Sequence, residues 1–190
     1  MRFQTADHAL FEVLRLAKDG WALACADAVC ARIEERSLMR WDPLLALLDR
    51  LEGKAPRARV EGLARSATPL SGSVGESLSR FVMLDAGFPV PMLQHAHHDR
   101  DGLIGYSDFW WPRYRLIGEF DGVAKYSDPG MLGERSAAQA IGAEKRRDNR
   151  LLVGNKVAHW DWKVLHRPGG LRGLLMSMGL PAGVEARPWP

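Results

Sequence analysis

The stretch Leu116-Ile117-Gly118-Glu119-Phe120-Asp121-Gly122-Val123-Ala124-Lys125-Tyr126 decides how this chain reads. An apolar run ends in two carboxylates one residue apart, then a glycine, then a lysine. As a strand, Leu116 to Asp121 alternates faces, so Ile117, Glu119 and Asp121 point the same way. Two carboxylates on one face at the end of a buried strand are costly unless a cation or hydrogen-bond donors compensate them. Asp108 lies near the end of the preceding strand-like run, Gly102 to Trp111, where an antiparallel neighbour brings it close. Three carboxylates and an ammonium are the equipment for a hard divalent metal and attack on a phosphodiester.

The chain has 190 residues, enough for one well-cored domain with a small helical extension. A hydrophobic content of 46% and a charged content of 26% are those of an ordinary globular protein. No apolar stretch is long enough to span a bilayer, and the N-terminus lacks a signal-peptide pattern. Cys25 and Cys30 fall on different faces of a helical stretch, so no disulfide is expected and the cytoplasm is the expected compartment. The net charge of +3 is compatible with nucleic acid. Its distribution says more: Lys145, Arg146, Arg147 and Arg150 crowd one helical segment, either a solvated face or a phosphate-binding one.

Up to about Leu70 the pattern is all-helical, with helices over Trp21 to Ile33, Leu44 to Leu51 and Pro56 to Ala67. Thr68-Pro69-Leu70-Ser71-Gly72 is a break, and the domain boundary is placed there: 1–70 helical extension, 71–190 main domain. Ser73-Val74-Gly75-Glu76 is a capping box opening a helix to Ala86. Strands are predicted over Met92 to His98, Leu103 to Trp111, Tyr114 to Asp121 and Val157 to Leu165, with a hairpin turn at His98 to Gly102. A long helix spans Glu134 to Val153, and a short one Pro168 to Met178. The order defines an α+β, or α/β layered, domain with helices flanking one sheet.

In order and spacing these pieces resemble the very-short-patch-repair-like branch of the PD-(D/E)XK nuclease superfamily. The resemblance runs from about Ser71 to Leu175. Its pieces are Gly75-Glu76-Ser77 with Arg80, Gly87-Phe88-Pro89-Val90-Pro91 with Gln94, Asp108 before Trp111-Pro112, Glu119-Phe120-Asp121-Gly122, Lys125-Tyr126, Glu144-Lys145-Arg146-Arg147 and Trp160-Asp161-Trp162. It implies an αβββαβ core and a DNA endonuclease using Mg²⁺ or Mn²⁺, or else a catalytically silent nuclease fold that binds nucleic acid or protein as a regulator or antitoxin. The helical first part also resembles a segment of actinobacterial proteins associated with type IV toxin–antitoxin, abortive-infection antitoxins, which implies a winged-helix or toxin partner.

Carried onto this sequence, the resemblance makes Asp108, Glu119 and the Phe120 carbonyl the metal ligands, the other reading of Asp108 being a turn cap before Trp110. The superfamily signature places a lysine two residues after the glutamate; here Asp121 stands there, and the lysine is Lys125. Lys125 either orients the attacking water or stabilises developing phosphorane charge. Asp121 either positions that water or Lys125, or serves its own turn. Glu76 is explained equally by the capping box and by a water-mediated contact to the metal. Arg80, one turn on, is placed to pair with Glu76 or a phosphate. Glu144 and Asp148 share an inward stripe with Ile141 and Leu151, leaving Lys145, Arg146 and Arg150 for DNA backbone contacts. His95 and His97 share a strand face without the further ligands a zinc site needs, so a polar strand face is expected. The tryptophans are expected in the core rather than on bases.

Overall fold

The computed structural model describes residues 6–36, 46–122, 146–186 and 188. The chain divides into two compact units: Met1–Pro89 together with Ala182–Pro190, and Val90–Pro181. The fold is mixed α and β, as the sequence implies.

In the first unit, α1 (Ala6–Leu16), α2 (Asp19–Arg36), a 3-10 turn (Leu47–Arg50), α3 (Lys54–Ser66) and α4 (Val74–Asp85) follow in order. Leu10, Phe11, Leu14, Leu23, Leu47, Val60 and Leu63 fill their shared core, with Phe81 and Leu84 of α4 packed against it. The first unit thus extends past the break at Thr68 to Gly72 and keeps α4 with the preceding helices. One reason is a buried ion pair: Arg80 of α4 donates to Asp27 of α2 at 2.5 Å, with side chains 8% and 1% exposed. Asp27 also accepts the Thr68 N–H at 2.9 Å, and Arg80 donates to the Ser66 carbonyl at 2.7 Å. The C-terminal tail returns here, Gly183 N–H donating to the Ala86 carbonyl at 2.9 Å.

The second unit holds a four-stranded sheet in the order β1-β2-β3-β4. Its strands are β1 (Met92–Asp99), β2 (Gly102–Trp111), β3 (Leu116–Phe120) and β4 (Lys156–Trp160). The first three are antiparallel neighbours, while β4 runs parallel to β3, Leu116 facing Lys156 and Phe120 facing Trp160. The β1–β2 turn forms as composition predicts: Asp99 accepts the Asp101 N–H at 2.8 Å, and Gly102 takes a φ of +100°. β3 begins at Leu116 rather than Tyr114, because Pro112–Tyr114 forms a 3-10 turn ending at Arg115 in the left-handed region.

On one face Phe109, Trp111 and Trp160 form the core, the Phe109 and Trp160 rings 5.5 Å apart. Gly118 makes room for them, since a Cβ there would lie 2.7 Å from the Trp160 ring. The last strand is shorter than its alternation suggested. Asp161 caps a helical turn, α5 (Trp162–His166), by accepting the Val164 N–H at 3.0 Å, so β4 stops at Trp160. Helix α6 (Gly170–Ser177) follows, burying Leu171 and Leu175. Of the long helix expected before β4, residues 146–151 are helical, and 134–145 lie outside the described residues.

Candidate active site

Alternation along β2 buries Ser107, Phe109 and Trp111 on one side and leaves Asp108 and Trp110 half-buried on the other. Pairing of Phe109 with Gly118 sets the register, so Asp108 and Glu119 stand one residue further on, on neighbouring strands. The Asp108 carboxylate accepts the Phe120 N–H at 2.8 Å. β3 is an inner strand, so its carboxylate sits among protein rather than at a sheet edge.

Glu119 is only 12% exposed and meets a guanidinium. Arg147, from the helical residues 146–151, donates to Glu119 Oε1 at 2.8 Å and to Oε2 at 3.4 Å. The same guanidinium donates to the Tyr106 carbonyl. Gly105, at a φ of +152°, leaves space for it; a Cβ there would stand 2.9 Å from Arg147 Nε. Asp148 Oδ1 lies 3.5 Å from Arg147 Nη1. Burial pushes the Glu119 pKa above the usual carboxylate value, and the Asp108 charge adds to this, while Arg147 and His159 pull against it. Burial works to lower the Arg147 pKa, but Glu119, Asp148 and Asp108 outweigh it and raise the value.

Asp121, just past β3, faces His159 of β4, with 3.3 Å between Oδ2 and Nδ1. The Asp121 N–H donates to the Trp160 carbonyl at 2.8 Å, which fixes the residue to the parallel neighbour. His159 pairs in register with Glu119. Sequence reading passed over both His159 and the individual role of Arg147. The signal for His159 was its place on the final strand, which acquires meaning only once that strand lies parallel to β3.

Asp108, Glu119, Phe120 and Asp121 are therefore brought together within the second unit. Glu76 belongs to the first unit and closes the capping box: its carboxylate accepts the Gly72 N–H and the Ser73 hydroxyl, both at 2.8 Å, while its own N–H donates to Ser73 Oγ. Lys125 and Lys145, with Glu144, lie outside the described residues. Arg146 is exposed. Arg150 is forked onto Asp99 at 2.6 and 2.7 Å, and its hydrogen bonds hold the Asp99 pKa down to about 2. That pair walls a cavity of about 510 Å³ with His98, Ile104, Leu151 and Asn155. Among the described residues, no group of three or more His, Cys, Asp or Glu side chains is arranged as a metal cage. His97 donates to or accepts from the Ser107 hydroxyl at 2.8 Å and packs edge-on to Trp110, in keeping with a polar strand face.

Comparison with known proteins finds two relatives: the uncharacterized proteins MT2308 of Mycobacterium tuberculosis (strain CDC 1551 / Oshkosh) and Rv2248 of strain ATCC 25618 / H37Rv. Each is 30% identical over 126 residues, or 64% of this chain. The chain spans 43% of the length of these relatives. No family model and no solved structure matches.

Proposed function

We propose that this chain carries a PD-(D/E)XK-type core and hydrolyses DNA phosphodiesters with the help of Mg²⁺ or Mn²⁺. The observation that carries the reading is the placement of Asp108 directly beside Glu119 on adjacent strands, two carboxylates facing each other at the end of a buried inner strand. The strand order, three antiparallel strands followed by a parallel fourth, supports it. The donor set suits a hard cation: two carboxylates and the Phe120 carbonyl offer oxygen only. When bound, the cation supplies an acidified water and shields the phosphate. Asp121 holds the Nδ1 side of His159, which leaves Nε2 to accept a proton from water at the open edge. Lys125 is assigned to assist the nucleophile or the developing charge, and Arg146 with Lys145 to contact the DNA backbone, joined by Arg150 where a phosphate replaces its Asp99 partner.

A second reading is favoured by the Glu119–Arg147 pair. A guanidinium already neutralises the central carboxylate, as in a catalytically silent module that binds nucleic acid or protein as a regulator or antitoxin, with a winged-helix or toxin partner. One experiment separates them. Purified protein is incubated with plasmid DNA in Mn²⁺, alongside Asp108→Asn. Under the nuclease reading the substitution lowers cleavage by roughly two orders of magnitude or more. Cleavage unchanged by Asp108→Asn would remove Asp108 from the chemistry. DNA binding without any cleavage by the unaltered protein would favour the silent module.

A further inference from the structure

Arg147 sits in a slot shaped for its head group. Gly105 supplies the space, the Tyr106 carbonyl anchors Nη2, and the Glu119 carboxylate takes a hydrogen bond on each oxygen. The fork is firm at Oε1 (2.8 Å) and long at Oε2 (3.4 Å), and its charge offsets that of the carboxylate. A divalent cation at Glu119 and this fork therefore compete, because two like positive charges would have to share one carboxylate.

A place for the displaced guanidinium already exists. Asp148 Oδ1 is buried and has no hydrogen-bond partner among the described residues, although it lies 3.5 Å from Arg147 Nη1. A buried acceptor without a donor costs free energy. A small rotation of the head group toward Asp148 satisfies that oxygen without sending Arg147 into solvent.

We propose that Arg147 is the resident counter-ion of Glu119, that a divalent cation displaces it, and that Asp148 receives it. The inference rests on the metal-site reading above and adds a specific competitor for the site. It gives the Arg147 slot two occupied positions, one against Glu119 and one against Asp148, and makes cation affinity depend on the cost of moving between them.

The test is a titration of the intact chain with Mn²⁺ alone, following the free-ion signal by electron paramagnetic resonance. Arg147→Met removes the competitor, so Mn²⁺ binds roughly tenfold tighter or more than to the unaltered protein. Arg147→Lys keeps the charge but loses the fork, and its affinity falls between the two; it decides the matter alone where Arg147→Met fails to fold. Asp148→Asn weakens binding more in the unaltered background than beside Arg147→Met, where only its direct attraction for the cation is lost. If the unaltered protein binds Mn²⁺ and the Arg147 variants bind it equally or more weakly, Arg147 is a brace and the exchange is overturned while the metal site stands. An unchanged affinity in Asp148→Asn overturns the receiving role. Absence of Mn²⁺ binding in every protein removes the metal site itself, and the exchange with it.

Discussion

Lowering the pH from about 7 to about 5 should destabilise the chain through His97. The ring is buried at 8% exposure, bonded to Ser107 Oγ at 2.8 Å, and packed edge-on to His95 and Trp110 at 4.9 and 5.1 Å. Burial first, then the charges of His95, Arg147 and His98, pull its pKa from 6.5 to about 4. The folded value is below the unfolded one, so the unfolded chain takes the proton first as pH falls. The stability linked to His97 is full above 6.5 and lost progressively down to about 4. The whole interval is worth about 3 kcal/mol, and roughly 2 kcal/mol of it is lost by about pH 5. Urea denaturation followed by tryptophan fluorescence at several pH values measures this, with His97→Gln as the reference, since glutamine stays neutral and still reaches a hydroxyl. Other groups move too. Asp99, depressed to about 2, loses stability only at lower pH, and Glu119, with its raised pKa, gains stability as the pH falls. Both cancel in the difference between the two proteins. Parallel stability–pH curves for the two proteins would refute the argument.

The remaining stability predictions concern packing. Arg80→Met leaves Asp27 buried without its counter-ion and should cost about 3–5 kcal/mol in chemical unfolding; a loss below about 1 kcal/mol would mean that Asp27 does not rely on the arginine. Gly118→Ala drives a methyl group against Trp160 and Trp111, at 2.7 and 3.1 Å, and should cost about 1–3 kcal/mol with altered near-ultraviolet dichroism of the tryptophans. An unchanged midpoint would show that the rings move aside freely.

Local chemistry made much of the fold legible. Ser73 and Glu76 form the capping box that their spacing announces, and the Asp99–Gly102 turn closes where its composition places it. The nearness of Asp108 to Glu119 across two antiparallel strands was legible from the order of the two runs. The extended reading of Val157 to Leu165 failed at a residue whose signal was present: Asp161 is a good helix cap, and alternation alone concealed it. Long-range pairing was not legible. Arg80 was placed beside Glu76 by helical spacing, yet it reaches Asp27 on another helix, because Glu76 is already engaged with Gly72 and Ser73. The fork between Arg147 and Glu119 likewise depends on where a helix lies over a sheet, which no local spacing encodes.

The direction of β4 also sets an order of events in folding. β1 and β2 meet across the turn at Arg100-Asp101, and β3 follows after a short connection, so these three strands close cheap loops early. Leu116 pairs with Lys156 only after a far longer loop has closed. The meander is thus the first nucleus available to this unit, and the parallel strand a late arrival. Asp108 and Glu119 are neighbours from the start, but His159 and Arg147 reach them with the later chain. A nascent or partly unfolded molecule is thus expected to display the carboxylates hydrated and without their positive neighbours. Hydrogen exchange at β1 and β2 should slow before that at β4 during refolding.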